Sequence, residues 1–406
     1  MSNTFSSLKH RNFLYYFIGM CISTTGTWMQ NIAQPWLAYK LTDSAFLLGL
    51  VSAMQFLPVL LFSLFAGVLI DRFSKKKLLF ITQSASLVTS AVLFFLVYTG
   101  RIQYWHLLVT STVLGVINTL DMPVRQSFLV ELVGKEDLMN AIALNSAVFN
   151  LARTLGPAVA GLVMRYWGLA DCFLVNSISF AAVLISLFFI KPRAVSKPVI
   201  KEENIFKNIG EGLKYIFGKK ILFVTLLLTF VVATFAMNFN VLIPVFSVEV
   251  LHQQETGYGM LMSCMGIGAF VGALVLASIS KAGPNKFLLY VVPIFVGVAL
   301  TFIGFTSVYA LTGVALAIAG FFFILFSSNA NSMMQMNTEN EYRGRVMSVY
   351  TLVFAGSTPI GNIFAGVISQ NAGSKIGTIA CGAAVLLLLI PIYIYLRAHK
   401  EKKQHP

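Results

Sequence analysis

Charge is what this sequence has least of. Asp, Glu, Lys and Arg make up 11% of its 406 residues, and only 15 are acidic. A soluble chain of this length carries roughly twice that share of charge, so an ordinary water-soluble multidomain protein is excluded. Cysteine is nearly as scarce: Cys21, Cys172, Cys264 and Cys381 lie far apart, within or at the edge of apolar runs. They offer neither a metal-ligand spacing nor a disulfide framework. His10, His106, His252, His399 and His405 are equally scattered. No phosphate-binding loop of the GxxxxGK[ST] type occurs, which argues against ATP hydrolysis by this chain. Without a compact catalytic constellation, no enzyme activity, cofactor or metal is expected.

Apolar sequence is what the chain has instead: 57% of it is hydrophobic, with 35 Phe. Runs without acidic or basic residues cover Asn12–Tyr39, Ser44–Ile70, Leu78–Gly100, Ile102–Leu120, Leu138–Met164 (interrupted only by Arg153), Cys172–Ile190, Ile221–Val248, Thr256–Ser280, Phe287–Thr338, Val346–Ser374 and Ile376–Leu396. A bilayer-spanning helix needs about 20 apolar residues, because the hydrocarbon core holds no water to satisfy its backbone. Phe287–Thr338 is too long for one span, and Thr306-Ser307 with Tyr309 offers a turn inside it. The fold class is therefore an all-α membrane protein of about twelve transmembrane helices.

The distribution of basic residues sets the expected topology. With the N-terminus taken as cytoplasmic, the termini and even-numbered connections carry 24 of the 29 Lys and Arg. The opposite side carries 4 (Lys40, Arg101, Arg165 and Lys375), and Arg153 alone lies within a span. That asymmetry follows the positive-inside rule, so the net charge of +14 reflects membrane topology and not nucleic-acid binding. Lys9 and Arg11 precede a long first span with no small-residue cleavage site after it, which reads as a retained helix in the cytoplasmic membrane.

The chain divides as a bundle over residues 1–190, a basic linker over 191–220, a second bundle over 221–397 and a basic tail over 398–406. Lys191-Pro192-Arg193 ends a helix. Within the linker, Ile205, Ile209, Leu213 and Ile216/Phe217 recur at helical spacing, opposite Lys207, Glu211 and Lys214. This pattern predicts an amphipathic helix lying at the cytoplasmic membrane surface, the alternative being a tether with incidental periodicity. The two bundles repeat. Gly67 corresponds to Gly272, and Gly156-Pro157-x-x-x-Gly161 to Gly361-x-x-x-x-Gly366, both offset by 205 residues. Asn31-x-x-x-Pro35 corresponds to Asn240-x-x-x-Pro244 at an offset of 209. Duplicated six-helix halves are a transporter architecture, in which rocking one half alternates access to a central site.

Three local motifs follow. The turn Gly67-Val68-Leu69-Ile70-Asp71-Arg72-Phe73-Ser74-Lys75-Lys76-Lys77 resembles the cytoplasmic loop motif of the major facilitator superfamily, roughly G-x-L-x-D-R-x-G-R-K, with Ser74 in place of the second glycine. Gly67, Asp71, Arg72 and Lys75 are then gating candidates: Asp71 would sit at a helix N-terminus of the other half, where the macrodipole favours an anion. A basic turn obeying the positive-inside rule is the plainer reading. In Asp121-Met122-Pro123-Val124-Arg125, Asp121 and Arg125 are placed in the same charge relay by that resemblance. The plainer reading is that Pro123 ends the helix and Arg125 satisfies the freed carbonyls or pairs locally with Asp121. Gly156-Pro157 with Gly161 resembles the fifth-helix motif of the superfamily's exporters, a close-packing seam of small residues around a bend. With Asn140-Ala141-x-Ala143-Leu144-Asn145-Ser146 and Arg343-Gly344-Arg345-Val346-Met347-Ser348, these stretches most resemble the branch of enterobactin exporters and macrolide-efflux pumps.

Polar residues inside spans face protein or water. Gln30, Asn31, Gln34, Asn118, Asn150, Arg153, Asn238 and Asn240 are the substrate-binding candidates, and Asn329 and Asn331 share the pattern; interhelical hydrogen bonding is the competing role. Arg153 either lines a wet cavity or reaches the membrane surface. The resulting expectation is a monomeric secondary transporter, embedded in lipid, that exports small amphipathic molecules by alternating access. Protons are a candidate coupling ion, with Asp121 and Glu249 the only acidic groups near membrane depth. Uptake or lipid flipping on the same fold, and a transport-inactive sensor or assembly factor, are the alternatives.

Overall fold

The computed structural model describes residues 3–134, 136–191, 205–279 and 283–401; the side chains of residues 3–4, 64–68, 71, 205–207 and 398–401 fall outside the description. The side chains of Gly67 and Asp71 are thus outside the described residues. A 3-10 turn, Asn3–Lys9, leads into α1 (Arg11–Thr42), α2 (Ala45–Arg72), α3 (Lys75–Tyr98), α4 (Tyr104–Val133), α5 (Leu138–Tyr166) and α6 (Leu169–Phe189). There follow α7 (Ile205–Gly218), α8 (Lys220–Ala236), α9 (Phe239–Glu249), α10 (Glu255–Ile279), α11 (Lys286–Phe305), α12 (Tyr309–Met336), α13 (Arg343–Gly356), α14 (Thr358–Ala372) and α15 (Ser374–Glu401).

Eleven described segments are long and apolar enough to cross a membrane. Two of them, Lys220–Glu249 and Arg343–Ala372, each contain a pair of consecutive helices, α8–α9 and α13–α14. The spans include neither α7 nor α1. Thr24, Thr25, Thr27, Gln30, Asn31 and Gln34 dilute the apolar content of α1, yet its 32 residues reach about 48 Å at 1.5 Å per residue. That exceeds the ~30 Å hydrocarbon core, and α1 completes the twelve. The turn expected at Thr306 is present, since α11 ends at Phe305 and α12 begins at Tyr309.

Pro123 does not end α4, contrary to the plainer sequence reading. The helix runs on to Val133, and Ser127 Oγ donates to Pro123 O at 2.9 Å. Arg125 pairs with the Asp121 side chain and leaves the carbonyls alone. Two breaks lacked a clear sequence signal. Met237 and Asn238 leave the helix between α8 and α9. Ser357 separates α13 from α14, where Pro359 cannot donate to the preceding turn.

The chain forms two compact units. One comprises Met1–Thr42, Met54–Glu202 and Glu255–Ser263; the other comprises Asp43–Ala53, Glu203–Gln254 and Cys264–Pro406. Each unit follows one packing plan. In the first, α6 leans on both α1 and α3, while α3 packs on α4 and α1 on α5. In the second, α15 leans on both α8–α9 and α11, while α11 packs on α12 and α14 on α8. The sixth span of each unit thus wedges between the first and third. Trp105, Trp167, Tyr98 and Tyr166 are exposed at helix ends, where amphipathic rings suit the headgroup region.

The α7 helix forms as its periodicity requires, but its apolar face meets protein. Ile216 is fully buried, and Ile209 and Leu213 pack with it against α13 and α8 in one apolar cluster. Tyr215 stacks on Tyr342 at 4.4 Å, and Glu211 pairs with Arg345 at 2.8 Å. Lys219 pairs with Glu339 at 2.8 Å. Hydrogen bonding to Glu339 raises the Lys219 pKa, and the same contact lowers that of Glu339. The amphipathic stripe therefore encodes docking onto the second unit; of its large apolar side chains, Phe217 stays exposed. The last helix, α15, runs on to Glu401, past the expected start of the tail.

Candidate functional site

At the end of the first unit that holds the N-terminus, three helices converge on a buried ion pair. Asp121 of α4 accepts from Thr82 Oγ1 at 2.6 Å and Gln83 Nε2 at 2.7 Å, and it pairs with Arg125 one turn along. Arg125 also meets Met20 Sδ and the Tyr16 hydroxyl of α1, and the Tyr16 ring stands edge-on to Phe128 at 5.6 Å. Tyr16 and Met20 belong to one apolar cluster with Phe13, Leu79, Val124 and Phe128. A charge in such surroundings is tolerable only when paired and hydrogen-bonded. Nearby, Lys75 bridges to Glu131 at 3.0 Å, and Lys76 Nζ donates to Ile190 O at 2.7 Å, capping the end of α6. Arg72 is exposed.

The N-terminal turn is fastened to this end. Ser6 Oγ and His10 Nε2 lie 2.5 and 2.7 Å from the two oxygens of Asp137, and Ser7 donates to Asn140 Oδ1 from both N and Oγ. The bonds from Ser6 and His10 hold the Asp137 carboxyl below its ordinary pKa.

Midway along α1, adjacent polar residues take different parts. Gln30, 3% exposed, accepts from Ser90 of α3 and Asn176 of α6, each at 2.7 Å. Its amide donates to Gln34 at 3.3 Å, and Gln34 donates to Ser111 of α4 at 2.7 Å. The hydrogen-bonding capacity of Gln30 and Gln34 is thereby taken up within the bundle. Asn31 is half-buried and makes no side-chain hydrogen bond among the described residues, as does its counterpart Asn240 in the second unit. In both Asn-x-x-x-Pro repeats the proline lacks the N–H that would bond the asparagine carbonyl four residues earlier. Asn118 is exposed on α4.

The fifth span carries the charge. Arg153 is half-buried and donates from Nη2 to Asn150 Oδ1 at 2.8 Å; Asn150 also donates to Ser146 O. Its Nε is buried without a partner, and no carboxylate pairs with it among the described residues. Gly156 lets Trp28 of α1 approach, since a Cβ there would stand 2.6 Å from Trp28 Cβ. The Trp28 ring is edge-on to Phe149 at 5.6 Å. Phe149 and Gly156, the two residues of α5 that meet Trp28, lie one helical turn to either side of Arg153. Gly161 packs against the opening turn of α10, its Cβ position 3.0 Å from Glu255 O and 3.1 Å from Thr256 Cα.

In the second unit, Asn238 is buried at the α8–α9 break. It donates to Thr234 O at 2.8 Å, while its Oδ1 lacks a partner. A Cβ on Gly361 would collide with Thr234 O, and one on Gly366 would stand 2.8 Å from Ala45 O at the start of α2. The paired glycine motifs therefore do paired jobs: the first glycine seats the opening span of its unit, and the second seats the start of α10 or α2. Asn329 holds both backbone groups of Asn285 and so fixes the cap of α11, and Asn331 accepts from Gln335. Glu249 Oε2 accepts from Ser374 N at 3.1 Å. Thr82, Gln83, Tyr16, Glu131 and Phe149 escaped the sequence reading. The adjacent polar pair Thr82-Gln83 inside an apolar run was the only available signal.

The sequence profile of a family described as transmembrane secretion effector matches residues 2–406. The staphyloferrin A transporter of Staphylococcus aureus (strain NCTC 8325 / PS 47) is 25% identical over 391 residues, covering 96% of this chain and 97% of its own. The multidrug efflux pump Tap of Mycolicibacterium fortuitum is 26% identical over 397 residues, covering 96% and 95%. These relatives are transporters, not enzymes. In fold, the chain is similar to a bacterial homologue of the iron transporter ferroportin, with a TM-score of 0.73 and 16% identity over 95% of this chain and 98% of that one. A bacterial homologue of the lysosomal transporter Spinster gives a TM-score of 0.76 at 11% identity, covering 98% of each.

Proposed function

We propose, for a chain that belongs to the transmembrane secretion effector family of major facilitator transporters, that it exports small amphipathic organic molecules across the cytoplasmic membrane, with both termini on the cytoplasmic side. The observation that carries this reading is the surface of the first unit around Arg153. Phe149, whose ring meets Trp28, lies one helical turn from Arg153, and Arg153 is bonded to the amide of Asn150. Such a mixture suits a molecule with an apolar body and a polar head, as pockets for small organic ligands combine apolar walls with a few placed polar groups. A sugar, which needs hydrogen bonds around its whole rim, would find fewer partners. The relatives' names, a staphyloferrin A transporter and a multidrug efflux pump, point the same way.

Alternating access would come from rocking of one bundle against the other. The gating group is Asp71, Arg72 and Lys75 with Gly67, together with the Asp121–Arg125 pair. Among the described residues Asp121 is the one buried carboxylate, so proton coupling, if the transport is antiport, runs through it. Reconstituted protein in proteoliposomes tests the reading: carboxylate, cationic and neutral amphiphiles are loaded on the cytoplasmic face and their movement is followed with and without an imposed proton gradient. Flux of at least one class, accelerated by the gradient, is expected. No flux of any class would favour a transport-inactive sensor. Flux only in the opposite direction would favour uptake.

A further inference from the structure

The substrate's charge is written in the fifth span. Arg153 is the only Lys or Arg inside an apolar run of this chain. Burying a guanidinium is costly unless an anion accompanies it, and here none does among the described residues: its single hydrogen bond goes to the neutral amide of Asn150. Its Nε is buried with no acceptor, a desolvated donor left unsatisfied. Arg153 stands in the middle of α5, about two turns from Gly161 and far from either end of the helix. Snorkelling toward the start of α5 would relieve it, but the side chain remains half-buried with Nη2 on Asn150.

We infer that Arg153 is an anion-recognition residue and that the transported molecule carries an oxyanion, a carboxylate by preference, next to an aromatic or apolar body. The inference rests on the transporter reading above and names the substrate class of that site. The planar fork of an arginine suits a carboxylate, and a charge-assisted pair is about twice as strong as a neutral hydrogen bond. Nη1 makes no hydrogen bond among the described residues. Asn150 holds Nη2, and the paired rings of Phe149 and Trp28 offer an apolar surface one helical turn along α5. A cationic amphiphile would meet like charge here, which separates this chain from a general pump for basic drugs. A phosphate of an anionic lipid headgroup has the same acceptor chemistry, and the test separates the two.

The full chain in phosphatidylcholine nanodiscs is titrated with 1-naphthaleneacetate and with its neutral amide. The wild type is expected to bind the acetate at least about tenfold more tightly than the amide, the size of one charge-assisted hydrogen bond. Arg153→Gln should reduce that preference to about twofold or less with amide binding unchanged, and Arg153→Lys should keep part of it. Thermal unfolding of both variants shows that they are folded. Equal affinity of the wild type for acetate and amide overturns the inference without any variant, as does an acetate preference that survives Arg153→Gln. Loss of acetate binding when the nanodiscs contain phosphatidylglycerol assigns the site to lipid and overturns it as a substrate site. In proteoliposomes, flux of cationic amphiphiles with Arg153→Gln inert would defeat this inference while leaving the transporter reading intact.

Discussion

Gly161 and Gly259 meet backbone to backbone: a Cβ added to Gly259 would stand 3.0 Å from Gly161 Cα and would also collide with Pro157 O. Neither the fifth span nor the opening turns of α10 can retreat cheaply, because both are rigid helices. Gly259→Val should therefore separate this contact at a cost of about 1–3 kcal/mol, read as a lowered Tm in detergent, and should slow substrate flux. Gly210→Ala, where nothing stands within 4 Å of the added Cβ, should leave both unchanged and serves as the control.

The Asp121–Arg125 pair sets up a double-mutant cycle. Asp121→Asn leaves Arg125 charged among Tyr16, Met20 and Phe128, and breaking a buried pair in this way costs about 3–5 kcal/mol. Arg125→Gln alone should be similarly harmful. The double variant should recover much of the loss, giving a coupling energy well above the ~0.5 kcal/mol expected of independent sites. Additive losses in thermal unfolding would mean that the pair does not act as a unit.

Gln30 and Asn31 should part company under mutation. Gln30→Leu strands the donors Ser90 and Asn176, at about 1–3 kcal/mol for each buried polar group left unsatisfied. Asn31→Leu strands no donor or acceptor of a neighbouring helix. A lower Tm for Gln30→Leu with unaltered substrate preference, against an altered preference for Asn31→Leu with unaltered Tm, is the expected pattern, measured on purified protein and in flux assays.

Acid should release the N-terminal turn. Its bonds from Ser6 and His10 hold Asp137 below its ordinary pKa. A depressed carboxylate contributes stability that is fully present above the unfolded value of about 3.9 and is lost as pH falls through the folded value. Hydrogen exchange of residues 3–10, corrected for intrinsic pH dependence, should show protection at pH 6 that is lost only as the pH falls below the ordinary carboxylate range. Asp137→Asn should lack that protection throughout; protection equal to wild type would show that the contact does not hold the turn.

Docking of α7 depends on one close approach. A Cβ on Gly212 would come 2.8 Å from Arg345 O, so Gly212→Leu should lift the helix from α13 and expose Ile216. Faster tryptic cleavage at Lys214 is the expected signature, with Lys214 itself already exposed in the docked state.

What was legible in the sequence was whatever depends on local composition. Span length and the turn near Thr306 follow from how many apolar residues fit across a bilayer. The paired glycines at an offset of 205 showed the repeat because close helix contact tolerates nothing larger. The site was less legible, and Gln30 beside Asn31 shows why. Successive residues on a helix point about 100° apart, and in a span that is apolar all round no amphipathic stripe says which direction is inward. The same limit hid the partners of Asp121, since Thr82 and Gln83 lie 39 and 38 residues away on another helix.

The sequence by itself determined that this chain crosses a membrane about twelve times as a duplicated bundle, because hydrophobic length and repeat spacing are local and additive. Tertiary structure alone decided which polar groups hold the bundle together and which stay unpaired. It buried Gln30 in a network, set Arg125 on Asp121, turned the α7 stripe onto protein and left Arg153 without a counter-charge among the described residues. Those outcomes depend on which helix faces which, and that is fixed only when all the helices pack together.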